Sequence, residues 1–184
     1  MLEVKQITIE EFEEKIYDKY TDLFLQEEQR DWNKIRESYY DNFEKFYAIY
    51  VNNEIIGFFM LEKLDNCPYY LDYFAIFKEY QSKGYGSESI KKLLSSIVKE
   101  DGLIGEIEKV DDTDPITVKR WKFYEKLGFK KFDDICFLFN VIFNIIIYPK
   151  DYDFTGKSAA EVLMDYYKIN IGEEETKKVC KIIE

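Results

Sequence analysis

A chain of 184 residues with 46% apolar and 18% aromatic side chains has the material for one filled core and is too aromatic for a disordered segment. Its net charge of −11, with no histidine, argues against nucleic acid as a partner, because that binding runs on clustered Lys and Arg. The same acidity serves solubility and favours a cationic small molecule or peptide.

Leu2 to Ile7 reads as a short strand, and Thr8 with Glu11 three residues on forms a capping box that opens a helix. A second helix is expected from Gln26 to Phe43. Phe46 to Val51 and Ile55 to Leu64 read as strands joined by Asn52-Asn53, a pair that tolerates the positive φ of a tight hairpin. Tyr69 to Phe77 is a third strand, after which Lys78 to Gly86 is polar. From Ser87, residues Ile90, Leu93, Leu94, Ile97 and Val98 keep helical spacing until Asp101-Gly102.

Leu103 to Val110 alternates apolar and acidic residues, with Glu106 and Glu108 on one face. Pro115 can start a helix over Ile116 to Leu127, with Ile116, Phe123 and Leu127 as its core stripe and Gly128 as its stop. Phe129 to Phe132 and Val141 to Tyr148 read as closing strands, and Ser158 to Ile169 as a last amphipathic helix. The whole reads as one domain over 1–184 in an α/β or α+β layer structure, with a helical C-terminal extension from about 155 to 184.

The apolar run Val141 to Tyr148 is broken by Asn144 and falls short of the roughly 20 residues that cross a bilayer, so no membrane partner is expected. Met1 to Gln6 has no basic start followed by an apolar core, which points to a cytoplasmic location. Cys67, Cys136 and Cys180 are widely spaced and have no histidine to complete a zinc site. They read as reduced structural thiols, with no metal expected.

The chemistry-bearing segment is Gln81-Ser82-Lys83-Gly84-Tyr85-Gly86-Ser87, between a strand and a helix start. Successive backbone N–H groups can turn inward there and hold a phosphate. Gly84 and Gly86 would let the backbone approach the ligand and take conformations closed to other residues. By itself such a turn can also be an ordinary strand-to-helix connection.

Tyr73-Phe-Ala-Ile-Phe-Lys-Glu-Tyr-Gln-Ser-Lys-Gly-Tyr-Gly resembles the strand and loop of the GNAT superfamily of acetyltransferases: an apolar strand, Gln or Arg, two residues, Gly, one residue, then Gly or Ala. Phe123-Tyr124-Glu125-Lys126-Leu127-Gly128-Phe129 is similar to the family's other frequent segment, and the two blocks occur in the family's order. The resemblance implies a mixed, mostly antiparallel central sheet flanked by helices, with acetyl-CoA as cosubstrate. It also implies that the backbone of Phe74, Ala75 and Ile76 bonds the pantetheine arm, and that the N–H groups from Gln81 to Ser87 hold the pyrophosphate. Thr117 stands where many relatives carry an Asn that touches the cofactor, and Arg120 where they carry a small residue. The stretch from Glu106 to Asp114 also resembles a bacterial branch with paired glutamates on the strand.

An alkylammonium of pKa near 10.4 must lose a proton before it attacks a thioester, which costs about 4.6 kcal/mol at pH 7. Without histidine the base would be a carboxylate: Glu106 or Glu108, with Asp72 and Glu62 as further alternatives. These glutamates can equally be solvated strand residues. Tyr124 is turned about 100° from Phe123 and could donate to the departing thiolate, or simply pack. Trp32, Tyr39, Tyr40 and Phe43 could line an acceptor pocket or belong to the core.

The expected activity is transfer of an acetyl group to a primary amine by direct attack in a ternary complex, by a monomer or homodimer. The alternative is a non-catalytic acyl-CoA-binding or protein-interaction module on the same fold.

Overall fold

The computed structural model describes residues 1–138 and 141–183, without the side chains of residues 27, 133–138 and 183. It contains two compact units, residues 1–63 with 71–97 and residues 64–70 with 98–184.

The first unit comprises β1 (Leu2–Ile7), α1 (Ile9–Lys15), α2 (Tyr17–Leu23), α3 (Trp32–Tyr40), β2 (Glu44–Val51), β3 (Glu54–Glu62), most of β4 (Tyr69–Ile76) and α4 (Tyr85–Leu93). Its strands run in the order β1-β2-β3-β4, with β2 antiparallel to both β1 and β3. The capping box forms: Glu11 N–H donates to Thr8 Oγ1 at 3.2 Å, and Thr8 N–H to the Glu11 carboxylate at 3.0 Å. Asn52 and Asn53 take φ of +52° and +67°, the primed-turn geometry that suits a two-residue hairpin between Val51 and Glu54.

The helix expected from Gln26 to Phe43 is broken. A short 3₁₀ turn covers Gln26–Glu28, and α3 begins only at Trp32, where the Asp31 carboxylate caps the N–H groups of Asn33 and Lys34. The intervening residues have stronger bonds to make elsewhere. Gln29 Nε2 donates to the carbonyls of Thr21 and Phe24, and Arg30 is drawn into a cluster of carboxylates.

Ile9, Phe12, Ile16 and Tyr20, spaced by three or four residues, turn one stripe onto the sheet face carrying Phe46, Ala48, Phe58 and Met60. Phe12 lies 4.7 Å from Phe46 and 5.7 Å from Trp32, centroid to centroid. Each such ring contributes about 1.5–3 kcal/mol on burial, so this aromatic cluster fixes how α1 and α3 cover the sheet.

In the second unit, Tyr69 and Tyr70 of β4 pair in parallel with Leu103 and Ile104 of β5 (Leu103–Glu108). The order is β4-β5-β7-β6-β8, through β7 (Val141–Tyr148), β6 (Lys130–Leu138) and β8 (Cys180–Ile183), and all the later pairings are antiparallel. The helices are α5 (Pro115–Lys126), α6 (Ala159–Ile171) and α7 (Glu173–Val179). Together these give the expected mixed, mostly antiparallel sheet with flanking helices. On β7, Asn144 to Ile147 are all buried, so both faces of the strand are covered. Asn144 is satisfied there: Oδ1 accepts from Val110 N–H at 3.0 Å and Nδ2 donates to the Phe132 carbonyl at 3.2 Å.

Two sequence expectations change here. Pro115 starts α5, the Asp114 carboxylate accepts from Ile116 N–H, and Gly128 closes it at φ +94°, yet no residue of α5 is buried and Ile116 is 68% exposed. Ile116 lies in the first turn, about two turns from the Phe123–Tyr124 pair whose rings lead to buried Phe129. The C-terminal stretch is not helical throughout: after α7 the chain turns at Cys180 into β8, antiparallel to β6.

Candidate functional site

In the first unit the site begins on β4. The Phe74 ring stacks on Phe59 at 4.6 Å and 11°, and a Cβ on Gly57 would fall 2.3 Å from the Ala75 carbonyl oxygen. Gly57 therefore allows a backbone approach that no other residue permits. An isolated glycine inside a strand pattern is a sequence signal for such an approach, and our sequence reading missed it.

Beyond Ile76 a 3₁₀ turn at Lys78–Tyr80 leads into the loop. Gln81 Nε2 donates to the Ile76 carbonyl at 2.8 Å, which ties the loop to the strand end. Lys83 Nζ donates to the Glu79 carbonyl at 2.9 Å. Ser82 and Gly84 take φ of +61° and +85°, both in the left-handed region. Gly84 meets the expectation of an unusual backbone and Gly86 does not. Gly86 lies in the first turn of α4 without a positive φ. Gly84 C=O accepts from Glu88 N–H at 3.2 Å, while helix geometry leaves the first amides, those of Tyr85, Gly86 and Ser87, without an intrahelical acceptor. Residues 81–84 are exposed, so a diphosphate can reach the positive end of α4.

The same unit holds a charge cluster only half foreseen. Arg30 Nη1 donates to Glu44 at 2.8 Å, to Glu62 at 2.6 Å and to Asp72 at closer range. Glu62 and Asp72 are the two further candidates for the base, whereas Arg30 and Glu44 carry no signal in the sequence. The side chains of Glu44 and Glu62 are 0% exposed, and Arg30 is raised further by its three anions, against the opposing effect of its burial. Burial pushes Glu44 up to about 8 and raises Asp72, with Arg30 opposing both shifts. The Arg30 N–H reaches the hydroxyls of Tyr20 and Tyr73 at 3.2 Å, and Tyr73 donates to the Glu28 carbonyl at 2.5 Å. Glu62 is thus a buried ion-pair partner, and of the three carboxylates Asp72 is the most exposed, at 8%.

Of the acceptor-pocket candidates, Trp32 and Tyr39 pack on the aromatic core and Phe43 is buried. Tyr40 is 61% exposed and donates to Glu10 at 2.9 Å.

In the second unit Glu106 Oε1 accepts from the Tyr70 hydroxyl at 2.8 Å and the Tyr167 hydroxyl at 2.5 Å. Glu108 pairs with Arg120 of α5, which gives that departure from the family pattern a structural partner. The Tyr124 ring packs edge-on against Phe123 and Phe129. Loss of hydration raises its hydroxyl to about 12, with Arg120 one turn earlier pulling weakly the other way. Thr117 Oγ1 accepts from Asp111 N–H at 3.0 Å and bonds the Asp114 carbonyl, so it holds the 111–114 turn.

A mixed sheet whose fourth strand runs through a glycine-turned loop into an amide-rich helix start is an arrangement that can take a phosphate group. Residues 4–129 match the family model described as acetyltransferase (GNAT) family, and the chain belongs to that family. No curated protein matches it. Among solved structures it is similar to a GNAT-family protein from Bacteroides thetaiotaomicron, at 20% identity and TM-score 0.76 over 93% of this chain and 99% of that one. A GNAT family acetyltransferase from Elizabethkingia anophelis with acetyl-CoA bound aligns at 16% identity and TM-score 0.54, covering 79% and 96%. A Bacillus subtilis acetyltransferase in complex with CoA aligns at 15% and 0.56, covering 80% and 97%. These likenesses are of fold.

Proposed function

We propose that this protein transfers the acetyl group of acetyl-CoA to a primary amine by direct attack in a ternary complex. The observation that carries the reading is the loop of the family-matched segment: two left-handed residues, Ser82 and Gly84, set exposed backbone at the head of α4. The N–H groups of Gln81 to Ser87 would take the pyrophosphate, and the Phe74–Ile76 backbone the pantetheine arm. Acetyl-CoA is bound in relatives of the same fold.

The residues supply two further roles. Glu106 would accept the proton that the alkylammonium must lose, a step worth about 4.6 kcal/mol at pH 7. The amine nitrogen then attacks the thioester carbon, the C–S bond breaks, and charge collects on sulfur. Tyr124 would donate a hydrogen bond to that sulfur. With its hydroxyl near 12 it remains protonated at neutral pH, and it is a weaker acid than a thiol, so it shares rather than surrenders its proton. After the attack the nitrogen still carries a second surplus proton, and its loss to the sulfur makes CoA–SH, while the first leaves Glu106 to water.

The charge of −11 favours a cationic acceptor. CoA release should be measured with acetyl-CoA and spermidine, an aminoglycoside, a basic peptide and a neutral amine at low and high salt. Cationic acceptors should lead, by a margin that shrinks as salt rises. Binding of acetyl-CoA with no turnover on any acceptor would instead indicate a binding module.

A further inference from the structure

The family match ends at residue 129, yet α6, about thirty residues further on, delivers a hydroxyl to the carboxylate assigned as base. Tyr167 donates to Glu106 Oε1 at 2.5 Å, and Tyr70, at the last recorded β4–β5 pair, donates to the same oxygen at 2.8 Å. The two rings meet edge-on at 6.2 Å, and each is 4% exposed, whereas Glu106 is only half-buried.

The neighbouring tyrosine shows what docking alone requires. Tyr166 is fully buried, donates to the Pro68 carbonyl at 2.6 Å and accepts from Leu64 N–H at 3.2 Å. Those bonds to backbone hold α6 against the 64–70 segment. Tyr167 directs its hydroxyl instead to an ionisable side chain on β5.

We propose that Tyr167 and Tyr70 are positioning residues for Glu106, so that α6 completes the site from outside the family-matched segment. The proposal rests on the reading of Glu106 as the proton acceptor. A phenol bonded to a carboxylate makes a charge-assisted hydrogen bond, and two on one oxygen favour the ionised form and stop the carboxylate rotating. In the transfer step an N–H bond of the alkylammonium breaks as the Glu106 O–H bond forms. Loss of that proton to water restores the carboxylate and both phenol bonds. Fixed orientation matters because proton transfer needs an acceptor within hydrogen-bond reach in a defined direction.

The test is Tyr167→Phe, with Tyr70→Phe as the second variant should the first fold poorly. The Glu106 carboxyl is titrated by ¹³C NMR, and kcat/KM is followed against pH with acetyl-CoA and the best of the amines named above. Loss of one donor should move the Glu106 midpoint up by about one pH unit. It should lower kcat/KM by a constant factor of a few on the alkaline side, where only the orientation is lost, and by about tenfold more on the acid side of that midpoint. A midpoint that does not move, with only the melting temperature lowered, overturns the positioning role and leaves the base assignment standing. A Glu106→Gln enzyme with wild-type rate overturns the base assignment, and the positioning role with it.

Discussion

Glu44→Gln tests the charge balance of the Arg30 cluster. Three carboxylates surround one guanidinium, so full ionisation would bury more negative charge than Arg30 offsets, and Glu44 Oε1 accepts no hydrogen bond. Burial answers this by raising Glu44 from 4.5 to about 8. Between those values the folded protein keeps a proton that the unfolded chain has lost. Stability is therefore full below about pH 4.5, falls as pH rises through 8, and levels off above it. One proton gives a slope of at most about 1.4 kcal/mol per pH unit, or roughly 4 kcal/mol from pH 5 to pH 8. That is a large part of the roughly 5–15 kcal/mol that holds a domain together. Glutamine has nearly the same shape and no charge, so the variant should lose most of this slope and be the more stable protein at pH 8. Urea denaturation of both proteins at pH 5, 6, 7 and 8, with unchanged m-values, reads the difference directly. Parallel pH dependences would show that Glu44 is ionised throughout, and the argument from surplus buried charge would be wrong.

Two substitutions test the chemistry. Tyr124→Phe removes one hydrogen-bond donor to the developing thiolate and should lower kcat by about 10²- to 10³-fold with acetyl-CoA affinity and melting temperature nearly unchanged; retention of more than about half the turnover, with chemistry limiting, would remove Tyr124 from the mechanism. Gly86→Val places branched methyls on the first turn of α4, where a diphosphate must approach, and should abolish acetyl-CoA binding by calorimetry while the protein stays folded. Unchanged affinity would place the pyrophosphate elsewhere.

What the sequence determined by itself was local. The Thr8–Glu11 box, the Asn52-Asn53 hairpin, the Pro115 start and the Gly128 stop were all legible, because each depends on a few neighbouring residues and their backbone preferences. The loop from Gln81 to Ser87 was legible for the same reason, although which residues turn left-handed was not: Ser82 does and Gly86 does not. The tertiary structure decided what depends on partners far along the chain. Arg30 leaves a helical pattern because its charge is matched by Glu44, Glu62 and Asp72, between 14 and 42 residues away. Ile116 has a core-like spacing but lies exposed, because spacing says which face a residue is on and not how far along the helix the packing extends. Tyr167 meets Glu106 across 61 residues, a distance over which periodicity and turn chemistry carry no information. Long-range pairing of charges and hydroxyls is set by how the sheet and its helices close on each other, and only the folded chain shows it.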